Sequence, residues 1–266
     1  MKKIYFLLVI LLLSFSSIIA QTSNVEYIEV IGSSVSTVKE VGELVDPYVY
    51  QSAIDLSDLE VSLKKQAFIN LMLPSILISK YKLELTRNSV LAIVNSEFAP
   101  SLEDEVFLVK LKKSYKCKSN IELLSRLQTH PTSIVIAQAA LESGWGTSRF
   151  YKEANNIFGV WSYSKNEARI KASETRDGTA VYVKKYASLP ESIASYFKTL
   201  ARGPYSSFRI EREKIEDVYL LTPHLKLYSE LKEEYVLRLE NLIRYNKLTQ
   251  YDNYLLKVNY TEEYVE

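Results

Sequence analysis

The chain has 266 residues, of which 24% are charged and 47% hydrophobic, with only seven glycines and seven prolines. This composition excludes a disordered, collagenous or low-complexity protein and allows one sizeable core. Its 33 basic and 32 acidic residues nearly cancel, so no overall charge favours a nucleic-acid partner or an anionic membrane surface. Two histidines and one cysteine leave little material for a histidine-based metal centre and exclude an internal disulfide. We therefore expect chemistry based on carboxylates and aromatic side chains.

The first twenty residues have the pattern of a secretory signal. Lys2 and Lys3 precede an apolar run over residues 4–13, and the stretch ends at the small residue Ala20. We predict that residues 1–20 direct export and are then removed. The alternative is an uncleaved anchor, because residues 4–20 are near the lower length for spanning a bilayer. Membrane association is expected only through that leader.

The next hundred residues change from irregular to helical patterning. Residues 21–58 have weak periodicity and are predicted to be extended or loosely packed. Apolar residues at helical spacing begin at Leu59, so residues 59–128 are predicted to form a helical N-terminal part of the domain. Pro74 is expected to kink or split the first helix. Ser101 and Ser119, each followed by acidic residues, are predicted helix starts.

Residues 129–252 contain the most informative patterns. A helix is predicted from Pro131 to a glycine cap at Gly144. Alternation over residues 168–173 and 179–186, around the turn Asp177-Gly178, predicts a β-hairpin. Two further amphipathic helices are predicted over residues 188–200 and 226–246, and residues 253–266 are expected to be a C-terminal tail. The fold class is therefore α+β, mostly α, with one small inserted hairpin lobe.

Glu142 is the strongest candidate for chemistry. It lies in the last turn of its predicted helix, where the negative end of the helix dipole disfavours a carboxylate. The neighbouring Trp145 also reduces its hydration, and both effects raise the pKa of the carboxyl, as a general acid near neutral pH requires. Alternatively, Glu142 is an ordinary solvated residue beside a packed helix end. The physical argument alone leaves both interpretations open.

Residues 137–150 (AQAALESGWGTSRF) and 155–159 (NNIFG) resemble the signature of the family 73 bacterial glucosaminidases. These are peptidoglycan hydrolases of the lysozyme superfamily, and the chain is most similar to their Bax-type subgroup. The likeness covers most of residues 64–252. It implies a lysozyme-like helical domain preceded by N-terminal helices, with residues 129–252 as the catalytic region.

The resemblance also implies roles for particular residues. Glu142 matches the general acid, Glu174 is the best match for a second carboxylate on the hairpin lobe, and Tyr205 matches a tyrosine near the cleft. Glu174 is equally compatible with an ordinary solvated hairpin residue, and Tyr205 with simple packing. The predicted substrate-binding residues are Gln138, Trp145, Asn156, Phe158, Gly159 and Trp161, the two tryptophans because indole rings stack on sugars.

The function that the resemblance implies is an endo-β-N-acetylglucosaminidase, exported to the periplasm or cell envelope of a bacterium, that cleaves β-1,4 bonds in the glycan strands of peptidoglycan. A muramidase or lytic transglycosylase of the same superfamily is an alternative, as is a non-catalytic wall-binding protein. No cofactor, metal, nucleic acid or nucleotide is expected. The sequence contains no H-E-x-x-H, paired C-x-x-C, P-loop or G-x-G-x-x-G motif.

Overall fold

The computed structural model describes residues 21–176 and 179–262, which fall into two units. Residues 27–257 form one unit, and the described ends of the chain, 21–26 and 258–262, form the other. The leader predicted over residues 1–20 lies outside the described residues. Across the two described ranges, no helix has both the length and the apolar character needed to cross a bilayer.

The segment before the first helix is extended, and its second half is well packed. It contains strands β1 (Gln21–Asn24), β2 (Ile28–Val30), β3 (Leu44–Val45) and β4 (Tyr48–Tyr50), and β2 pairs with β4 in parallel. Tyr50, Ile54 and Leu56 are fully buried in the main core. The sequence did not predict this packing, because strands of at most four residues show little periodicity.

Helix α1 (Val61–Val94) runs without interruption through Pro74. The prediction that this proline would split the helix is wrong. Every residue from Phe68 to Ser79 is buried, so this part of the helix is surrounded by protein on all sides. Burial of so many apolar side chains outweighs the roughly 3 kcal/mol that a proline costs inside a helix.

The next three helices begin at the predicted places, and two of them have a side-chain cap. Helix α2 (Leu102–Tyr115) has a reciprocal capping box between Ser101 and Asp104, and in α3 (Asn120–Leu127) the Ser119 hydroxyl accepts a hydrogen bond from the Glu122 amide. Helix α4 (Thr132–Ser143) follows Pro131 and is buried along almost its whole length. These starts agree with the predicted ones, because capping depends on local residues.

The predicted hairpin consists of β5 (Arg169–Arg176) and β6 (Thr179–Lys184), which pair antiparallel with an irregularity between Lys171 and Thr175. Its predicted turn, Asp177-Gly178, lies outside the described residues. A short helix, α5 (Arg149–Ala154), precedes the hairpin, and α6 (Leu189–Arg202) follows it.

The C-terminal part differs most from expectation. It comprises α7 (Ser206–Glu211), α8 (Val218–Leu221), a 3₁₀ segment (Thr222–Tyr228), α9 (Glu233–Tyr245), a second 3₁₀ segment (Leu248–Asn253), β7 (Leu255–Leu256) and β8 (Asn259–Glu262). The predicted helix over 226–246 begins only at Glu233, because Lys232 has a positive φ of 47° and the preceding residues form a 3₁₀ turn.

The expected tail is partly built into small sheets. Strand β7 pairs in parallel with β3, and β8 pairs antiparallel with β1. Besides the hairpin, the described residues contain three further two-stranded sheets, which the sequence patterns did not predict. The predicted class, mostly helical with an inserted hairpin lobe, is confirmed.

Gly146 has a backbone that only glycine adopts easily, at a place with no room for a side chain. Its φ is +76°, and an added Cβ would lie 3.1 Å from Phe68 and 3.2 Å from Leu56. Gly159 has a similar φ of +61° with nothing within 4 Å of an added Cβ. We expect Gly146→Ala to lower the free energy of unfolding by about 2–4 kcal/mol and Gly159→Ala by about 1–2 kcal/mol. Urea unfolding of both variants checks this, and equal losses would contradict the packing part of the explanation.

Candidate active site

A groove of about 740 Å³ is lined by the end of α4 and by the β5–β6 hairpin. Glu142 comes from the last turn of α4, and the α4–α5 turn adds Ser148, Arg149 and Phe150. The hairpin contributes Ala172, Ser173, Thr175, Val181 and Val183, and Trp161 and Glu230 complete the lining. Two acidic side chains, an indole ring and a cation therefore border one open cavity.

The end of α4 is held firmly by local hydrogen bonds. Gly144 ends the helix in the left-handed conformation, and the Trp145 amide donates to the Ala140 carbonyl at 2.9 Å. The Ser143 hydroxyl accepts from the Gly146 amide at 3.0 Å. The Glu142 backbone is therefore immobilised two residues before the cap, with its side chain at the groove.

Trp145 was predicted to bind substrate, but it packs on the protein. Its ring meets Phe68 edge to face at 5.6 Å, and the Lys65 ammonium lies 5.3 Å from its centroid. Trp145 does not line the groove around Glu142. Its contacts stabilise the turn that ends α4, so it supports the site from behind.

Glu142 has a carboxyl that keeps its proton to unusually high pH. Glu142 is exposed, and water reaches its side chain from the groove. Burial raises the pKa of Glu142 to about 6, and a hydrogen bond from Tyr235 acts in the opposite direction. Close to neutral pH the group therefore exchanges its proton readily, as general acid catalysis requires.

Four tyrosines gather behind Glu142. They are Tyr196, Tyr205, Tyr228 and Tyr235. The rings of Tyr228 and Tyr235 stack at 5.6 Å, and Tyr205 lies 6.1 Å from Tyr228. Burial raises the pKa of each tyrosine, and the nearby Glu142 raises it further. The wall behind the carboxyl therefore consists of neutral hydroxyl groups.

Gln138 was predicted to face the cleft, but it is fully buried. Its Oε1 accepts a hydrogen bond from the Tyr196 hydroxyl at 2.5 Å, and its Nε2 donates to the Tyr235 hydroxyl at 2.8 Å. Both ends of the amide are thus occupied by tyrosines, and a direct contact with substrate is not possible in this arrangement. Helical spacing correctly placed Gln138 beneath Glu142 but could not show which surface of α4 is open.

His130 extends this set of hydrogen bonds into the core. Its Nε2 lies 2.9 Å from the Tyr196 hydroxyl. Because Tyr196 gives its one hydrogen to Gln138, it accepts one from His130, which places the imidazole hydrogen on Nε2. The Nδ1 atom is buried without a partner. Burial, together with Arg212 and Lys80, holds the pKa of His130 well below its usual range.

The loop after α5 places Trp161 at the groove. Asn156 is fully buried, and its Nδ2 donates to the carbonyls of Val160 and Lys184 while its Oδ1 accepts from the Val160 amide. This fastens the loop to β6, and Trp161 forms a bridge to Val183 there. Trp161 is 39% exposed and stacks loosely with Tyr163 at 6.5 Å, so part of its indole ring is accessible from the groove.

The other predicted residues of this loop do not line the groove. Phe158 is buried and stacks on Tyr196 at 4.2 Å, so neither it nor Asn156 lines the groove. Gly159 allows the turn through its positive φ. Asn156 and Phe158, which were predicted to bind substrate, are therefore both buried and away from the groove lining. They hold the loop and the tyrosine cluster in place.

The two remaining predicted residues have different positions. Tyr205 is buried in the tyrosine cluster and does not line the groove, although it is close enough to Glu142 for the charge to affect it. Glu174 belongs to β5, and its side chain lies outside the described residues. Its strand neighbours Ser173 and Thr175 do line the groove.

Sequence reasoning missed Tyr196, Tyr235, Arg149 and Glu230. The tyrosines lie on helices about 55 and 95 residues from Glu142 along the chain, and no local pattern marks them. Arg149 was inside the quoted signature, and Glu230 lies within residues 64–252, most of which resemble the family, so both could have been noticed. In the part of the chain that is described, no group of three His, Cys, Asp or Glu side chains could hold a metal ion.

The groove is open and contains a carboxyl that can donate a proton near neutral pH. The site is therefore suited to acid catalysis on a bound ligand. The family model named Glucosaminidase, described as mannosyl-glycoprotein endo-beta-N-acetylglucosaminidase, matches residues 117–264, which is more than half of the chain. The chain therefore belongs to the glucosaminidase family, which confirms the resemblance seen in the sequence.

Individual relatives agree with this assignment. The chain is 29% identical to Protein bax of Escherichia coli K12 over 162 residues, covering 57% of this chain and 56% of that protein. It is 31% identical to the peptidoglycan hydrolase FlgJ of Salmonella typhimurium over 133 residues, covering 46% of this chain and 40% of that protein. The chain thus spans about half the length of these curated relatives.

Among solved structures, the catalytic domain of the autolysin Auto from Listeria monocytogenes is similar to this chain. The two are 27% identical, and the alignment covers 64% of this chain and 97% of that domain with a TM-score of 0.41.

The protonation state of His130 provides a test of the buried hydrogen bonds. We expect a neutral imidazole with its hydrogen on Nε2 throughout pH 5 to 9, because burial opposes its charge and Tyr196 accepts from Nε2. Long-range proton–nitrogen NMR correlations report the tautomer directly. Replacing His224 with glutamine leaves His130 as the single imidazole. A hydrogen on Nδ1, or titration near the ordinary value of 6.5, would contradict the arrangement.

Proposed function

We propose that this protein is an exported endo-β-N-acetylglucosaminidase that cleaves the glycan strands of peptidoglycan, with Glu142 as the general acid. The observation that carries the proposal is the position of Glu142, exposed to a groove while burial holds the pKa of its carboxyl at about 6. Cleaving a glycosidic bond requires one carboxyl that is protonated before the reaction and donates to the leaving oxygen. Glu142 meets this requirement.

The groove supports a saccharide as the ligand. The indole of Trp161 offers a flat apolar surface, and Ser148, Ser173 and Thr175 offer hydroxyl groups for a polyhydroxylated ring. Peptidoglycan as the source of that saccharide is supported by the names of the relatives, which include peptidoglycan hydrolase FlgJ and exo-glucosaminidase LytG. Export is supported by the leader pattern of residues 1–20.

The second participant in the reaction is a carboxylate or the substrate itself. Glu230 lines the groove, and Glu174 lies on the strand that forms its wall. A substrate with a 2-acetamido group can also supply an internal nucleophile, and then no second carboxylate is required. Separate Glu230→Gln and Glu174→Gln variants distinguish these routes, since only loss of an essential group abolishes turnover.

Product analysis tests the activity and the cleaved bond together. Purified residues 21–266 are expected to release muropeptides from wall sacculi whose ends, after borohydride reduction, are glucosaminitol by mass spectrometry. Glu142→Gln removes the transferable proton with little change in size, and we expect hydrolysis to fall at least about 100-fold.

Glu97→Gln, at an exposed carboxyl between α1 and α2, is the matched control and should retain activity. Reduced or anhydro muramic ends would instead identify a muramidase or a lytic transglycosylase. Wall binding without any product would identify a non-catalytic wall-binding protein.

The raised pKa of Glu142 leads to two linked predictions, one for the pH dependence of activity and one for that of stability. Because the acid works only when protonated, kcat/KM is expected to fall as pH rises through about 6. The native state also binds this proton more tightly than the unfolded chain, in which the pKa has its ordinary value of 4.5. Stability is therefore lost as pH rises from about 4.5 through 6.

It follows that Glu142→Gln should unfold at a higher temperature than the wild-type protein at pH 8, because the variant carries no ionised carboxyl at that place. The difference in melting temperature should shrink below pH 4.5, where both side chains are neutral. A variant that is less stable than wild type at pH 8 would show that burial does not oppose the charge of Glu142.

A further inference from the structure

Helix α2 attaches to the rest of its unit through one face only. The helix packs on α3 and α6. Its inward side chains belong to a small second core around Val90, Leu123 and Leu127, and they are Phe107, Leu108, Leu111 and Tyr115. This packing accounts for the position of α2 without using the opposite side of the helix.

The opposite side, the outer face of α2, carries an apolar stripe. Leu102, Val106 and Val109 follow one another at spacings of four and three residues, so they lie on the same side of the helix. They are 77%, 44% and 60% exposed, respectively. Single exposed apolar residues are ordinary on a protein surface, but an aligned set on one helix is typical of a contact surface.

Charged side chains border this stripe in a regular order. Glu105 and Lys112 are seven residues apart, which is nearly two whole turns, so they share one edge of the stripe. Glu103 and Lys110 have the same spacing and share the other edge. In the described ranges none of these four side chains forms an ion pair. Each edge therefore has an acid near the start of the helix and a base near its end, both available to a partner.

An acidic start and a basic end alone would only complement the helix dipole. The placement along the edges has a further consequence for two copies of α2 that are related by a two-fold axis perpendicular to the helix. Such copies lie antiparallel, and the rotation keeps each edge against the same edge of the other copy. Glu103 then faces Lys110 of the second copy, and Glu105 faces Lys112 of the second copy.

The stripe fits the same arrangement, because Val106 of one copy faces Val109 of the other at the centre. A parallel pair of helices would instead bring unlike edges together. Glu103 would face Glu105, and Lys110 would face Lys112, so like charges would oppose one another on both sides. The charges therefore favour the antiparallel pair over the parallel one.

We propose that the outer face of α2 is a self-complementary surface through which two copies of this chain associate as an antiparallel dimer. The inference goes beyond the proposed function and does not depend on it. Helix α2 lies outside residues 117–264, which match the family model, and none of the residues that line the groove belongs to it. A contact centred on one helix is small, so the dimer is weak and depends on protein concentration.

Sedimentation velocity of residues 21–266 between about 5 and 500 µM tests the association. We expect a reversible dimer with a dissociation constant on the order of 100 µM at low ionic strength. Raising the NaCl concentration from about 0.05 to 0.5 M should weaken the dimer several-fold, because the ion pairs lie at exposed edges and are screened.

Charge reversal tests the arrangement itself. The double variant Glu103→Lys/Glu105→Lys has only bases along both edges, and Lys110→Glu/Lys112→Glu has only acids. Each variant alone should have a dissociation constant at least about tenfold above the wild-type value, because four attractions become four repulsions. An equimolar mixture restores all four contacts between opposite charges and should form a heterodimer of nearly wild-type affinity. Mixing would not rescue variants that had merely lost their fold.

Val109→Ser removes an apolar side chain from the centre of the stripe and should weaken the dimer about fivefold or more. Leu237→Ser is the matched control, since Leu237 lies on α9 with a similar exposure of 59% and should be dispensable for the dimer. Should the charge-reversed variants fail to fold, this pair decides, and equal dissociation constants would overturn the inference.

The inference is also overturned if the wild-type protein stays monomeric up to about 500 µM, or if the two folded charge-reversed variants do not associate when mixed. Association of residues 1–266 but not of 21–266 would assign the stripe to the leader and would overturn the inference as well.

Discussion

The position of helix α4 is the constraint on which the site depends. Its first turn is not capped locally, because Pro131 has no side chain that can accept a hydrogen bond. Asp252, at the opposite end of the domain in sequence, accepts from the Ser133 amide at 2.7 Å and from its hydroxyl at 2.8 Å. The other end is closed by Gly144 and by the packing of Trp145. A buried helix held at both ends presents its last acidic residue to the groove with little freedom.

The chemistry at that residue is a balance between two opposing effects. Burial raises the pKa of Glu142, and donation from Tyr235 lowers it, with a result of about 6. Either effect alone would give a pKa unsuited to a general acid near neutral pH. Full burial without a donor would raise the pKa too far, and strong donation without burial would lower it too far. The tyrosine cluster supplies both at once, because its rings exclude water and its hydroxyls offer hydrogen bonds. The same arrangement destabilises the native state above pH 6, which is a common consequence of functional charge in a folded protein.

Several residues of the family signature hold other parts of the site in place and do not line the groove themselves. Gln138, Asn156 and Phe158 were predicted to bind substrate, yet all three are buried and use their polar atoms or rings to hold other parts of the site. A short sequence motif identifies residues that a site requires, without showing whether they touch the ligand or position those that do. Trp161 was also predicted to bind substrate, and it does line the groove, on a loop that Asn156 fastens to β6.

The sequence by itself determined the features that depend on near neighbours along the chain. Serine caps predicted the starts of α2 and α3, Gly144 predicted the end of α4, and residues 137–159 identified the family. Only the tertiary structure decided that α1 continues through Pro74, that Tyr196 and Tyr235 meet beneath Glu142, and that Gln138 faces inward. The reason is physical: capping and turn preferences act over a few residues, whereas burial and long-range hydrogen bonds depend on which segments pack together.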